Sequence, residues 1–265
     1  MLSPPTRLRG KGALDNHGKS AEIREAIAGD SPFLRSRLAG TYSFVAGILQ
    51  PQGDYDRAIV LQRKSLDIIR KVSDADPTNA TYREFLNEAY YWVGYHSEKK
   101  GDLAQASLNY RQALAGFEAL TSADPKEART RLYVGMCEKS IGTVLVAGGH
   151  TTEGLESIRK GLAILEELSR ADQSENIEKF ENVADAYAAI GLAYSTKAAR
   201  PNISGALRMT LWREARTAYQ KSLDTWLEMK RRGALTAFSA REPERIAGEI
   251  AKCDAALAEL RAGIH

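Results

Sequence analysis

The chain has 265 residues, of which 43% are apolar and 27% are charged, so it is long enough to bury one large core or two smaller ones. Its 37 Lys and Arg residues nearly balance 34 Asp and Glu residues. A net charge of +3 is too near balance to predict an electrostatic grip on nucleic acid, so we expect no nucleic-acid partner.

The cysteines, histidines and apolar runs set further limits. Cys137 and Cys253 form no C-x-x-C pair, and the four histidines are scattered singly, so we predict neither a disulfide framework nor a metal site. No stretch reaches the roughly 18 consecutive apolar residues that a membrane helix needs. We therefore expect no membrane insertion and, for the chain as given, a cytoplasmic location.

The amino-terminal segment carries little structural information. Residues 1–19 mix Gly, Pro and basic residues without a periodic apolar face, which predicts a disordered or flexible tail. Gly18, Lys19 and Ser20 resemble the end of a phosphate-binding loop, but Ala13 stands where that loop requires its first glycine. Residues 20–29 predict a short helix that Ser20 caps and Gly29 ends.

A repeat with a period of 48 residues follows. The landmarks that keep this interval are Gly53, Gly101 and Gly149; Leu66, Leu114 and Leu162; and Asp76, Asp124 and Asp172. Three landmarks that share one spacing through three copies indicate a true internal repeat. Each copy contains two apolar-periodic runs of about twenty residues, which predicts a helix, a turn and a second helix. The predicted units are about 31–77, 78–125, 126–173 and 174–233.

The second unit shows the predicted pattern most clearly. Its helices are predicted at about Thr81–Lys99 and Leu103–Thr121. Gly101 suits the left-handed residue that ends a helix, and Asp102 can cap the next one. Pro125 lies where the second helix must already have stopped.

The carboxy-terminal part departs from the 48-residue spacing. Extra residues around Lys197 to Leu207 include Pro201, and they predict a surface loop between the two helices of the fourth unit. Residues 243–262 place apolar side chains at helical spacing, which predicts a helix that caps the last repeat.

The units resemble the tetratricopeptide repeat, whose signature is W-x2-L-G-x2-Y, then A-x3-F, then P. The second unit matches this signature at Tyr90, Val93, Gly94, Ala106, Tyr110 and Pro125. Gln62 replaces the aromatic of the second helix in the first unit, while Gly154 and Ile158 depart from the pattern in the third. The resemblance implies an all-α, right-handed superhelical solenoid of antiparallel helix pairs over residues 20–265, with long helices and a capping helix.

A second resemblance covers the carboxy-terminal stretches Trp212 to Trp226 and Ile250 to Leu257. These are similar to the repeat region of bacterial eukaryotic-like serine/threonine protein kinases. The sequence contains no glycine-rich phosphate loop, no H-R-D and no D-F-G motif, so the resemblance implies a kinase-associated interaction or sensor region rather than a phosphotransferase. If a membrane-linked kinase is the parent, an extracytoplasmic location stays open.

The resemblance also implies a binding surface. In the tetratricopeptide family, the concave wall is built from first-helix residues that point away from the second helix. Carried over to this sequence, that wall comprises Glu88, Tyr91, Tyr95, Lys99, Met136, Lys139, Thr143 and Asp185. Packing between helices is the alternative role for Tyr91 and Tyr95. No catalytic, cofactor-binding or metal-binding residue is predicted.

The expected function is therefore a non-catalytic scaffold or regulatory region that binds a protein or peptide partner on its concave face. A homo-oligomerisation module is one alternative, since the Ala, Leu and Tyr content permits a homodimer. A helical repeat protein that binds a small molecule in its concave cavity is the other alternative, but we find no convergent ionisable residues for it.

Overall fold

The computed structural model describes residues 19–171, 177–236 and 239–263, except the side chains of 177–179. The predicted tail lies outside this range apart from Lys19. Within the described residues the protein is helical, with no β-strand, so the all-α class is confirmed. The chain divides into two compact units. Unit 1 ends at Pro125, and unit 2 begins at Lys126. This division coincides with the predicted boundary between the second and third repeats.

In its described residues, unit 1 has one helix followed by two helix pairs. Its helices are α1 (19–28), α2 (Pro32–Leu49), α3 (Tyr55–Ala75), α4 (Ala80–Lys100) and α5 (Leu103–Ala123), with a 3₁₀ turn at Gln50–Gln52. The predicted helices of the second repeat are confirmed to within two residues at each end. Lys19 and Ser20 both lie inside α1, so the prediction that Ser20 caps this helix was wrong.

The repeated glycines have the conformation that their position requires. Gly53, Gly101 and Gly149 have φ values of 72°, 88° and 90°, which place all three in the left-handed region that side chains disfavour. Asp54 and Asp102 follow the first two, and each accepts a hydrogen bond from the backbone N–H three residues later. The 48-residue period therefore marks where each first helix ends and each second helix begins.

Close contact between α4 and α5 explains the small residues of the second repeat. A Cβ placed on Gly94 would lie 2.8 Å from Cδ1 of Tyr110, whose side chain is fully buried. Ala106 and Ala113 are fully buried on the same helix as Tyr110. The crossing therefore excludes any side chain at Gly94.

Gln62 fills the corresponding position of the first helix pair with a polar side chain. It is fully buried, and its Oε1 accepts a hydrogen bond of 3.0 Å from the Ser43 hydroxyl. A hydrogen bond between α2 and α3 thus satisfies the Oε1 of Gln62, while its buried Nε2 has no partner among the described residues.

Unit 2 contains two further helix pairs and a final helix. Its helices are α6 (Ala128–Ala147), α7 (Thr151–Ala171), α8 (Ile177–Ala198), α9 (Gly205–Arg231) and α10 (Glu242–Ala262). The predicted surface loop at Lys197 to Leu207 is shorter in the structure, because Ser204 caps α9 and accepts a hydrogen bond from the Leu207 N–H. Most of the extra sequence of the fourth repeat therefore lengthens α9 to 27 residues.

The core of unit 2 joins its last three helices. Trp226 of α9 is 2% exposed and packs in one cluster with Ile246, Ile250 and Cys253 of α10. Gly191 of α8 lies against Tyr219 of α9, as Gly94 lies against Tyr110. The carboxy-terminal stretches that resemble the kinase-linked repeats thus supply the packing of α9 with α10.

Candidate functional site

Unit 1 contains an aromatic-lined cavity of about 590 Å³. Helices α2 and α4 supply most of its walls, while α1 and α3 contribute two residues each. This volume falls within the range of about 300 to 1,000 Å³ that is usual for ligand pockets. We call it the unit 1 cavity.

Three aromatic rings give the cavity its apolar surface. Phe44 of α2 is 55% exposed, Phe85 of α4 is 39% exposed, and Trp92 of α4 is half-buried. Large exposed rings are costly to leave in water, and they are enriched where proteins bind partners. These three residues are therefore the strongest indication of a binding surface in unit 1.

Helical spacing places the lining residues on a single face of each helix. On α4, Phe85, Glu88, Trp92 and His96 follow each other at intervals of three and four residues. On α2, the residues that line the cavity also recur at these intervals, and they are Ser36, Arg37, Ala39, Gly40, Thr41, Ser43, Phe44 and Gly47, while Gln50 lines it from the adjoining 3₁₀ turn. Two regular helix faces thus form most of the site.

Two arginines add positive charge to the lining. Arg24 donates hydrogen bonds to the Thr41 hydroxyl and, over 3.1 Å, to the Arg37 carbonyl oxygen, so its guanidinium is held in place. The exposed guanidinium of Arg37 makes no hydrogen bond or ion pair with any residue that the structure describes. It can therefore donate hydrogen bonds to a ligand in the cavity.

His96 lies at the end of the cavity within a group of rings. Its ring centroid is 5.4 Å from that of Tyr95 and 6.4 Å from that of Trp92. Only 1% of His96 is exposed, and this burial lowers its pKa from 6.5 to about 4. His96 is therefore neutral near pH 7, and it contributes polarity without charge.

The four sequence-predicted residues of unit 1 have different positions. Glu88 lines the cavity, while Tyr95 lies beside it and accepts a hydrogen bond of 2.6 Å from Gln50. Lys99 is exposed, with its Nζ 5.1 Å from the centroid of the Tyr95 ring. Tyr91 is only 3% exposed, and its ring centroid lies 5.4 Å from that of Tyr110. Packing is thus the role of Tyr91, which corrects its assignment to the binding wall.

The other four predicted residues belong to unit 2. Met136 is 5% exposed, so it lies in the core of that unit, and its assignment to the binding wall is also corrected. Lys139, Thr143 and Asp185 are half-buried. The Thr143 hydroxyl donates a hydrogen bond of 3.0 Å to the Lys139 carbonyl oxygen, within α6.

Sequence reasoning missed the three rings of the cavity. Trp92 directly follows Tyr91, and an error of one residue rotates the chosen face by about 100° on a helix of 3.6 residues per turn. The available signal was the spacing of Phe85, Glu88 and Trp92, which places Glu88, a residue assigned to the binding wall, between two aromatic residues.

The described residues contain neither a metal-binding cluster nor an exposed cysteine. No group of three or more His, Cys, Asp and Glu side chains in this part of the chain could hold a metal ion. Cys137 and Cys253 are both buried, and burial raises the pKa of the Cys253 thiol to about 11, which keeps it protonated and unreactive. Among the helices described, none is both long and apolar enough to cross a membrane.

The fold and the cavity define an all-helical protein of packed helix pairs with an aromatic-lined cavity in its first unit. No protein-family model matches the chain, and no curated protein matches it. Among solved structures, the chain is similar to the crystal structure of BtubC (BKLC) from P. vanneervenii, with a TM-score of 0.55 and 14% sequence identity. The similarity covers 96% of this chain and 92% of that chain, and it supports the fold alone.

Proposed function

We propose that this protein is a non-catalytic interaction module of the tetratricopeptide type, which binds a peptide segment of a partner protein in the unit 1 cavity. We also propose that its helix pairs are arranged as a right-handed superhelix. The observation that carries it is the exposure of Phe44 and Phe85 around a cavity of about 590 Å³. A partner that covers these rings removes apolar surface from water, which favours binding.

The lining suits a peptide with one apolar or aromatic side chain. Such a side chain can pack between the rings of Phe44, Phe85 and Trp92, while the peptide backbone accepts hydrogen bonds from the Arg37 guanidinium. The regular helix faces hold these groups in fixed positions, so little conformational entropy is lost on binding. This chemistry favours recognition over catalysis.

The biological setting rests on the sequence resemblance. The similarity of residues 212–226 and 250–257 to kinase-linked repeats supports a regulatory or sensor role beside a bacterial kinase. In that setting, the unit 1 cavity would select the protein on which the kinase or its pathway acts.

Selection from a random peptide display library against the full chain tests this function. Enriched peptides are then titrated against the wild type, Phe85→Ala and Trp92→Ala by fluorescence anisotropy. We expect each substitution to weaken binding by about tenfold or more, because an interface anchor of this kind contributes about 1.4 kcal/mol or more. Leu108→Ala is the matched control, since Leu108 is 53% exposed on α5 and does not line the cavity.

The same experiment can refute the proposal. Enriched peptides that bind both cavity variants as tightly as the wild type would place the site elsewhere. A selection that enriches no peptide would count against peptide recognition itself.

A further inference from the structure

Helix α1 shows its largest apolar side chains to solvent. Ile23 and Ile27 are 60% and 58% exposed, and the exposed Ala26 lies between them. The face that packs on the rest of unit 1 instead carries the small residues Ala21 and Ala28, each 6% exposed. A helix on a protein surface normally buries its largest apolar residues, whereas no described residue of this chain covers the outer face of α1.

Polar contacts fix the rotation of α1 in this orientation. Arg24 donates hydrogen bonds to Thr41 and to the Arg37 carbonyl oxygen, while the Tyr42 hydroxyl donates a hydrogen bond of 2.7 Å to Glu25. All of these contacts hold the inner face of α1 against α2. A rotation that buried Ile23 and Ile27 would break these contacts, so the contacts keep the apolar face of α1 pointing outward.

Charges of opposite sign lie at the two ends of this face. Lys19 is exposed at the amino-terminal end of α1, and Asp30 follows its carboxy-terminal end with a fully exposed side chain. The Asp30 carboxylate accepts a hydrogen bond of 2.7 Å from Arg35 and keeps further acceptor positions. We call Lys19, Ile23, Ala26, Ile27 and Asp30 the outer stripe.

The outer stripe is complementary to itself when two copies run antiparallel. A twofold axis near residue 25 brings Ile23 of one copy to Ile27 of the other, with Lys19 near Asp30 at both ends. A parallel pair would instead place Lys19 near Lys19 and Asp30 near Asp30, which is unfavourable. Antiparallel helix dipoles also favour the twofold arrangement, and the small side chain of Ala26 lets the two helix backbones approach.

We propose that the outer stripe is a homodimer interface, at which α1 pairs with α1 of a second copy in antiparallel orientation. The contact is isologous, as in most homodimers, because each copy contributes the same surface. The described part of α1, residues 19–28, is about 15 Å long, so two copies of it bury less than the ~1,200 Å² of a standard stable interface. The dimer is accordingly weak, with a dissociation constant between about 10 µM and about 1 mM.

Sedimentation equilibrium of the full chain tests this proposal over a range of about 10 µM to about 1 mM. The average mass is expected to rise from 29.1 kDa towards twice that value as the concentration increases. The doubly substituted Ile23→Glu, Ile27→Glu chain is expected to stay monomeric. Leu108→Glu, which changes an equally exposed leucine of α5, is the matched control and should dimerise like the wild type.

Charge reversal separates this interface from unspecific association. Lys19→Asp alone and Asp30→Lys alone should each weaken the dimer by about fivefold or more, since each places like charges together at both ends. The chain with both reversals restores the opposite pairs and should dimerise nearly as well as the wild type. Circular dichroism verifies that each variant is folded, and the two single reversals leave the apolar core untouched.

Two results would overturn the proposal. A wild-type chain that stays monomeric at every concentration would mean that another segment or another protein covers the stripe. A dimer that the paired reversal fails to restore would contradict the antiparallel pairing of α1, even if dimerisation itself occurs.

Discussion

His96 is the buried ionisable residue whose environment changes its chemistry most clearly within the described part of unit 1. The rings around it are Trp92, Tyr95 and Tyr55, and the centroid of the last lies 6.5 Å away. None of these rings carries a charge near neutral pH, so nothing among them compensates a protonated imidazole. The pKa of about 4 thus follows from desolvation.

This low pKa predicts that acid weakens the fold through His96. Between pH 6.5 and about pH 4, the unfolded chain binds a proton at this position that the folded chain does not bind, so the free energy of unfolding falls as the pH falls. A pKa change from 6.5 to about 4 corresponds to roughly 3 kcal/mol. Urea unfolding of the wild type and of His96→Gln at about pH 7 and about pH 4 measures this contribution. The wild type is expected to lose roughly 2 to 3 kcal/mol more than the variant, and equal losses would show that folding leaves the pKa of His96 unchanged.

The contrast between Tyr91 and Trp92 shows why single residues of the site were hard to predict. Helix α4 carries aromatic side chains at positions 82, 85, 90, 91, 92 and 95. Aromatic residues that occupy most of the helix circumference define no unique apolar face, so the sequence does not say which ring packs and which lines a cavity. Contacts with Tyr110 of α5 decide this for Tyr91.

The α6–α7 pair is the element where departures from the repeat signature have a clear structural reason. A Cβ on Gly142 would lie 2.5 Å from the carbonyl oxygen of Gly154, and a Cβ on Gly161 would lie 2.5 Å from that of Gly135. Two pairs of facing glycines therefore let the two backbones touch directly. The Ser157 hydroxyl, which also lies in α7, donates a hydrogen bond of 2.9 Å to the Glu138 carbonyl oxygen of α6.

Gly142→Ala is expected to destabilise the protein strongly. The added methyl group would meet the backbone of α7 at both Gly154 and Ile158, and backbone atoms cannot move aside as a flexible side chain can. We expect a loss of about 3 kcal/mol or more, measured by urea unfolding. Gly248→Ala is the control, because a Cβ there meets nothing within 4 Å on helix α10, and it should stabilise the helix by about 0.5 to 1 kcal/mol. Similar effects of the two substitutions would contradict the close crossing.

The ends of helices could be predicted from the sequence where the turn contains a left-handed glycine and a capping residue. The Gly-Asp pairs at 53–54 and 101–102 combine a left-handed residue with a helix cap, and both features act within a few residues. The sequence predicted a loop up to Leu207, although α9 begins at Gly205. This start was not predicted because Gly205 is a weak helix former and the cap at Ser204 resembles an ordinary loop serine. Tertiary packing of the following residues, which include the buried Leu211 and Ala215, outweighs that weak propensity.

At the scale of the whole molecule, the sequence-predicted binding wall is distributed over both units. Three of its residues lie on α4 of unit 1, namely Glu88, which lines the cavity, Tyr95 and Lys99. Three others belong to unit 2, namely Lys139, Thr143 and Asp185. The family resemblance implies one continuous wall, but the aromatic cavity is confined to unit 1. Whether a partner contacts the whole predicted wall therefore depends on whether it binds to unit 1 alone or to both units.

Separate alanine substitutions of Tyr95 and Lys139 answer this question. For a short peptide selected against the full chain, Tyr95→Ala should weaken binding by about tenfold, because it removes the acceptor that holds Gln50 at the cavity and the ring beneath Lys99. Lys139→Ala should change the affinity by less than about twofold, since Lys139 does not line the cavity. Titration by fluorescence anisotropy gives both values, and the melting temperature of each variant serves as the stability control. Loss of affinity with both substitutions would favour the wider wall that the sequence predicted, and loss with neither would show that neither Tyr95 nor Lys139 supports the peptide site.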